Sequence, residues 1–418
     1  MEIVPDILET REKAAVMAAA DRLFSMLKRG TSLRRSVWPW LRTGGPPPRL
    51  RLLPLSRLGA PEGQSGKKVM IGQFVEPRIS PSRPMVLKFL EDGGTSDGEL
   101  SEEKRRFDRI KRFIHPDYQH AFAEPLRCFE CNGYEFLWSP FTCGEAATSG
   151  ASDLSHNDLW KQLRMKRESG HQPRHVSKNT ILQTVFGYLA LPHRKCGASC
   201  RRKRSFAVEY EKYLRGVWGT DPHPGLGWWK YWELTWAPHS KEAVTAFGNT
   251  HANPLWVLAR LKEQKHDFHC GAIHGDLHPK NVVLSEEIPH IIDFGWADPD
   301  EHVAKDFVLL ECNMRFVLLR EDVDSASVRK FTNWIAWDAP APKLSCRYCS
   351  ERLRLVQQLR RIAADHLPDT RDWDREYVIP LFLVAFGLLK HLGAADNQIA
   401  AVMTVLSLAD HIKGRGLV

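Results

Sequence analysis

The run His274-Gly275-Asp276-Leu277-His278-Pro279-Lys280-Asn281-Val282-Val283-Leu284 places a carboxylate and an amide five residues apart, on a loop that leads into an apolar strand. Nine residues beyond Leu284 stands Asp293-Phe294-Gly295, entered from the apolar pair Ile291-Ile292. That puts a second carboxylate at a strand end, where side chains point into a cleft. Asp and Asn offer the oxygen donors that a hard cation such as Mg²⁺ takes. Phosphoryl transfer from ATP asks for little more. A carboxylate must orient or deprotonate the acceptor hydroxyl, oxygen ligands must hold the metal on the phosphates, and a cation must steady the nucleotide.

This stretch resembles the catalytic loop of the protein-kinase-like superfamily, in its aminoglycoside and choline phosphotransferase branch. That branch writes His-Gly-Asp-Leu-His where most protein kinases write His-Arg-Asp-Leu-Lys. The likeness runs from about Leu52 to Phe316, with a large insertion. It implies an α+β, two-lobed fold with a small antiparallel β lobe and a larger helical lobe. It also implies an ATP·Mg²⁺-dependent enzyme that moves the γ-phosphate to a small-molecule or protein hydroxyl. Carried over residue by residue, it makes Asp276 the catalytic base, Asn281 and Asp293 the metal ligands, and His274 a structural support.

Lys88, in the predicted strand Met85–Leu90, is similar to the strand lysine that meets the ATP phosphates in this superfamily. A lysine bounded by apolar residues is costly to bury without an anion; a lysine facing solvent is the other reading. Its implied partner is a Glu on the next helix. Leu100, Glu103, Phe107, Ile110 and Ile114 share one helical face, which places Glu103 where a carboxylate wants a cation. Glu102, about 100° around the helix, is the alternative, and a solvated face the plain one. Asp306 matches the Asp that braces the catalytic loop downstream of Asp-Phe-Gly; a helix N-terminal Asp is the other reading. Ser139–Gly144 resembles the hinge between lobes.

Parts of the chain depart from that pattern. The loop Gly59–Lys68 has glycines but neither the protein-kinase spacing nor that of a P-loop, so a phosphate cradle and a plain hairpin loop stand level. No Ala-Pro-Glu follows Asp293, which argues against an ordinary protein kinase. The run Lys305-Asp306-Phe307-Val308-Leu309-Leu310-Glu311 gives a looser resemblance to kinase-like domains of bacterial conflict systems, the ternary-complex-associated type.

The elements that must position these residues fall in two groups. Short β-like runs at 49–58, 69–75, 85–90, 125–131 and 134–138 surround a helix over 101–114, for which Ser101 is a candidate N-cap. Asn132-Gly133 between the last two strands is a hairpin turn signal. From Val303 on the pattern is mostly helical. The expected organisation is an N-terminal helix and linker (1–48), a nucleotide-binding β lobe (49–143) and a helical lobe (144–418) with a basic, Trp-rich insertion at about 145–253.

A chain of 418 residues suits two lobes, and 43% apolar residues exclude wholesale disorder. The net charge is +9 and the pI about 9.1. Between Lys161 and Arg215 fourteen Lys/Arg face three Glu, so one segment makes the protein basic. It carries Arg201-Arg202-Lys203-Arg204, which suits a nucleic-acid or protein partner, or else a solvated insertion. That gives a second reading, a nucleotide-binding scaffold that recruits such a partner. The Trp228–Trp236 cluster reads as a stacking platform or as packing. Nine cysteines and an acidic opening without a secretory signal point to a reduced, cytoplasmic setting. His193, Cys196 and Cys200 with Cys346 and Cys349 have zinc-like spacings; free thiols are the alternative. Tyr377–Leu389 is too short to span a bilayer and reads as a buried helix.

Overall fold

The computed structural model describes residues 2–3, 10–29, 49–54, 68–75, 85–91, 99–140, 158–164, 177–194, 201–214, 240–285, 288–336, 338–367 and 372–418. The chain forms two compact units. One comprises Met1–Leu159 with Lys280–Asp298, the other Trp160–Pro279 with Pro299–Val418.

The first unit is built on a six-stranded sheet of order β1-β2-β3-β4-β6-β5. Its strands are β1 (Glu2–Ile3), β2 (Arg49–Pro54), β3 (Lys68–Val75), β4 (Met85–Glu91), β5 (Arg127–Cys131) and β6 (Tyr134–Pro140). Every pairing is antiparallel except that of β1 with β2. Asn132 and Gly133 both take positive φ, 53° and 74°, as the two-residue turn between β5 and β6 requires. Alternation along β4 buries Met85, Leu87 and Phe89 on one face and puts Lys88 on the other. Phe89, Phe129 and Phe136 stack on the first face. Helix α1 (Thr10–Arg29) lies there, with Arg22 5.2 Å from the Phe129 ring.

Helix α2 (Glu99–Lys111) serves the opposite face. Ser101 is not its N-cap. The helix begins at Glu99, and the N–H groups of Leu100 and Ser101 donate to the Glu135 carboxylate at 2.8 and 2.6 Å. A side chain from β6 thus satisfies the open helix end, a contact that local spacing does not announce.

Beyond the first sheet the chain runs through α3 (Lys178–Arg194), β7 (Arg201–Ser205), β8 (Ala243–Ala246), β9 (Asn249–Ala252), α4 (Pro254–Leu261) and β10 (Lys265–Ile273). The hairpin β11 (Val282–Ser285) and β12 (Ile288–Ile291) returns to the first unit, and β13 (Asp298–His302) follows. Helices α5 (Ala304–Cys312), α6 (Ser325–Asn333), α7 (Arg347–His366), α8 (Ile379–Leu388) and α9 (Gln398–Gly414) make up most of the remainder. Helix α8 is buried on all sides from Ile379 to Gly387, so Tyr377–Leu389 is core. Among the described residues no helix is long and apolar enough to cross a membrane.

Two expectations are corrected here. Arg201–Arg204 is not a free-standing insertion; it forms β7, paired antiparallel with β10, with Lys203 exposed. Arg204 meets Glu209 at 2.8 Å and Asp300 at 3.0 Å, and Arg202 reaches Asp300 at 3.2 Å. Pairing and ion bonds hold this strand in place of an apolar alternation, so its sequence pattern hides it. Of the zinc grouping, His193 separates from Cys346 and Cys349. Helices α3 and α7 run side by side in the same direction, with Lys178 on Glu351 at one end and His193 on His366 at the other. That puts His193 about 25 Å along α7 from Cys349, at 1.5 Å per residue. Cys196 and Cys200 lie outside the described residues, among which no group of three or more His, Cys, Asp or Glu could hold a metal.

Candidate active site

In the first unit, β4 delivers Lys88 and α2 delivers Glu103. The Lys88 ammonium lies 2.7 Å from Glu103 Oε1 and 3.2 Å from Asp293 Oδ2. Glu103 is 2% exposed, which settles the choice of helix partner, since Glu102 instead serves Arg105, Arg106 and Arg109 on its own helix. Burial alone would push the lysine pKa down. The charges of Asp293 and Glu103 outweigh it and hold the pKa above the ordinary lysine value, so Lys88 stays a cation.

Asn281 and Asp293 reach the same end of the β11–β12 hairpin by register. Val282 pairs with Ile291, and the Ile292 N–H donates to the Asn281 carbonyl at 3.0 Å. The Ala123 N–H donates to Ile291 O at 2.9 Å and fixes β12 from its other edge. Asp293 then turns the chain at φ 65°, a left-handed conformation that Asp tolerates better than most residues. Phe294 goes inward, edge-on to Phe107 of α2 with ring centroids 4.7 Å apart. The buried ring anchors the turn, and the neighbouring carboxylate stays 40% exposed beside Lys88.

In the second unit the turn around Asp276 is held by its backbone. Gly275 takes φ 80°, where a side chain would be strained. Asp306, on the first turn of α5 and fully buried, accepts from the N–H of Gly275 at 2.7 Å and of His274 at 2.9 Å. Asp306 therefore fits both readings, a brace of the turn and an Asp in the first turn of its helix. Burial would raise its carboxyl pKa; the bonds from His193 and His274 outweigh this and lower it, so Asp306 is ionised. His193 Nε2 lies 3.2 Å from Asp306, and His193 Nδ1 lies 2.7 Å from His366 Nδ1. The Tyr213 hydroxyl donates to Gly275 O at 2.7 Å, and His274 Nδ1 accepts from the Asp276 N–H at 3.3 Å. Asp276 itself is held by the turn and its side chain is one-third exposed.

His366 and Tyr213 escaped sequence reasoning, and His193 reads there as a zinc ligand and not as a partner of Asp306. They stand 60 to 90 residues from the turn in the chain, at no fixed spacing, inside or beyond the basic segment. Residues 59–67 of the glycine-containing loop, 141–144 of the hinge and the Trp228–Trp236 cluster lie outside the described residues.

Residues 203–390 match the family model of ternary complex associated domain 9, somewhat less than half of the chain. A stretch of 64 residues is 42% identical to the probable serine/threonine-protein kinase PkwA of Thermomonospora curvata; it spans 15% of this chain and 9% of that relative. Among solved structures, choline kinase from Cryptosporidium parvum Iowa II is similar over 95% of this chain and 97% of its own, at 10% identity and a TM-score of 0.43. A thermostable mutant of aminoglycoside phosphotransferase APH(4)-Ia is similar over 87% of this chain and 94% of its own, at 13% identity and a TM-score of 0.40. The antiparallel unit with its strand lysine and helix glutamate, followed by a glycine-turned Asp loop, a hairpin, Asp-Phe-Gly and a helical unit, gives this chain the α+β organisation expected from its sequence.

Proposed function

We propose that the protein is an ATP·Mg²⁺-dependent phosphotransferase that moves the γ-phosphate to a hydroxyl of a small-molecule or protein acceptor. One observation carries the reading: a lysine cation, largely shielded from solvent, held between Glu103 and the Asp of Asp-Phe-Gly. A lysine needed only for packing would not be kept charged by two carboxylates from separate elements. One of those carboxylates is also exposed enough to meet a ligand.

Lys88 binds phosphate oxygens of the nucleotide, and Glu103 fixes its position. Asn281 and Asp293 would hold Mg²⁺, since amide and carboxylate oxygens are the donors this ion takes. When bound, the metal neutralises charge on the phosphates. Asp276 orients the acceptor hydroxyl and takes its proton as the acceptor oxygen bonds to the γ-phosphorus; the bond to the β-γ bridging oxygen breaks, and ADP leaves. The reaction takes place in the reducing cytoplasm, where the cysteines stay as thiols. A nucleic-acid scaffold gains no support from β7, whose Arg202 and Arg204 are engaged by Asp300 and Glu209.

The test is a thermal-shift titration with ATP, with and without Mg²⁺, on the wild type and Asp293→Ala. A ligand that binds only the folded state stabilises it by about 2.7 kcal/mol at a hundredfold excess over Kd. The expected result is a Mg²⁺-dependent shift that Asp293→Ala loses. Absence of any shift at millimolar ATP sinks the nucleotide site.

A further inference from the structure

Glu135 of β6 is 6% exposed and lies on the same face of the first sheet as Lys88. Lys88 pairs with Leu137 and Leu90 with Glu135, so Lys88 and Glu135 are diagonal neighbours on adjacent strands, roughly 7–8 Å apart. Both reach α2. Glu135 accepts from the Leu100 and Ser101 N–H groups at 2.8 and 2.6 Å, and Lys88 meets Glu103 at 2.7 Å, two residues beyond Ser101. Leu100 and Ser101 are the second and third residues of the helix, whose N–H groups an N-cap side chain would take. The residue before the helix in the chain is Gly98, which has no side chain to offer. The remaining bond to Glu135 comes from Cys128 Sγ at 3.4 Å, and among the described residues no Lys, Arg or His pairs with it. A buried carboxylate without a cation is costly; here the partial positive charge of the helix N-terminus offsets the cost. An apolar side chain on β6 and a local cap would serve the sheet and the helix separately. Glu135 instead ties the helix end to the strand beside Lys88.

We propose that Glu135 is a positioning residue that sets the rotation of α2 about its axis and thereby delivers Glu103 to Lys88. The inference rests on the role of Lys88 at the nucleotide phosphates proposed above. A helix turns about 100° per residue, so a slip of one residue would bring Glu102 or Lys104 toward Lys88 in place of Glu103. Two fixed points on either side of Glu103 prevent it. One is Glu135 at Leu100 and Ser101; the other is Phe294 against Phe107, one turn beyond Glu103. The β4–β6 ladder holds Lys88 and Glu135 at a set spacing, and α2 spans the two. Without Glu135 the first turn of α2 is released and Glu103 leaves Lys88. The ammonium then keeps only Asp293, 3.2 Å away, and rests on the carboxylate that would hold Mg²⁺.

A double-variant cycle on the whole chain tests this without any ligand. Urea midpoints are compared for the wild type, Glu135→Ala, Glu103→Gln and the two changes together. Glu135→Ala is expected to lower the midpoint less in the Glu103→Gln background than in the wild type, because the contact it maintains is already weakened there. Equal losses in the two backgrounds would make Glu135 a plain helix cap and overturn the proposal. Glu135→Gln, which keeps one acceptor oxygen, is read in the same cycle and stands in if the alanine variant fails to fold. The ATP·Mg²⁺ thermal shift gives a second readout. Glu135→Ala should need about tenfold more ATP for half the shift, the loss expected for one misplaced charge contact. An unchanged requirement overturns the proposal as well. A wild type that shows no ATP shift sinks the nucleotide site instead, and the cycle still decides whether Glu135 places Glu103.

Discussion

Lys88 and Glu103 form a pair whose two members differ in what their removal costs. Glu103 is almost wholly buried, and Lys88 keeps Asp293 as a second partner. Lys88→Met therefore leaves a carboxylate in the interior without its cation, which typically costs about 3–5 kcal/mol. Glu103→Gln leaves Lys88 its Asp293 contact and should cost less, about 1–3 kcal/mol. The double variant should regain part of the loss of Lys88→Met, because the stranded charge is gone. Urea unfolding of the four proteins checks this; strictly additive losses would mean that the two groups do not interact. On the proposed function, Asp276→Ala separates from both. It should abolish phosphate transfer and leave the ATP-dependent thermal shift nearly intact. Wild-type transfer by Asp276→Ala would remove Asp276 from the mechanism.

At the scale of elements, α3, α5 and α7 converge on the turn that carries Asp276, through His193, Asp306 and His366. Asp306→Ala should strand two buried N–H groups, at a cost of about 1–3 kcal/mol each. Asp306→Asn keeps one acceptor oxygen and should sit between that variant and the wild type. Their urea midpoints should fall in that order, and equal midpoints would show that the turn does not depend on the brace. The turn itself was legible in sequence because its chemistry fixes residue types at short spacings: Gly275 for the left-handed turn, Asp276, and Asn281 at a strand start. The Asn132-Gly133 hairpin was legible for the same reason. Much of what supports these features was not. Glu135 caps α2 from a different strand, and β7 has no apolar alternation to reveal it. Helix α3 contains Pro192 and lies in a segment whose charge masks its buried face, Ile181, Leu182, Val185 and Phe186. Contacts made across sequence distance leave no periodic trace, so the turn and its Asp306 brace could be read from residue types, whereas the contacts of Glu135, His366 and Tyr213 could not.

The whole molecule should show an acid dependence that these supports dictate. Burial, with the positive charges of His193, Arg194 and His269 around it, lowers the His366 pKa from 6.5 to about 2. Burial likewise lowers that of His269 to about 4, with Glu376 opposing. A histidine whose pKa is depressed on folding binds its proton more readily in the unfolded chain, so stability rises with pH through the window. The contribution is complete above pH 6.5 and is lost as the pH falls below it, by up to about 1.4 kcal/mol per pH unit for each histidine. Glu311 adds a second, lower step. Burial would raise its pKa, but Arg360 and Arg315 outweigh it and set it at about 2, so this contribution is complete above pH 4.5 and fades toward pH 2. Urea midpoints should therefore begin to fall below pH 6.5 and fall more steeply below 4.5. In His366→Asn, whose amide preserves a polar contact to His193 but takes up no proton, the slope between pH 6.5 and 4.5 should be shallower than in the wild type. An unchanged slope would mean that His366 titrates in the folded protein as it does in the unfolded one, and that the buried chain from α7 to Asp306 is open to protons at mildly acid pH.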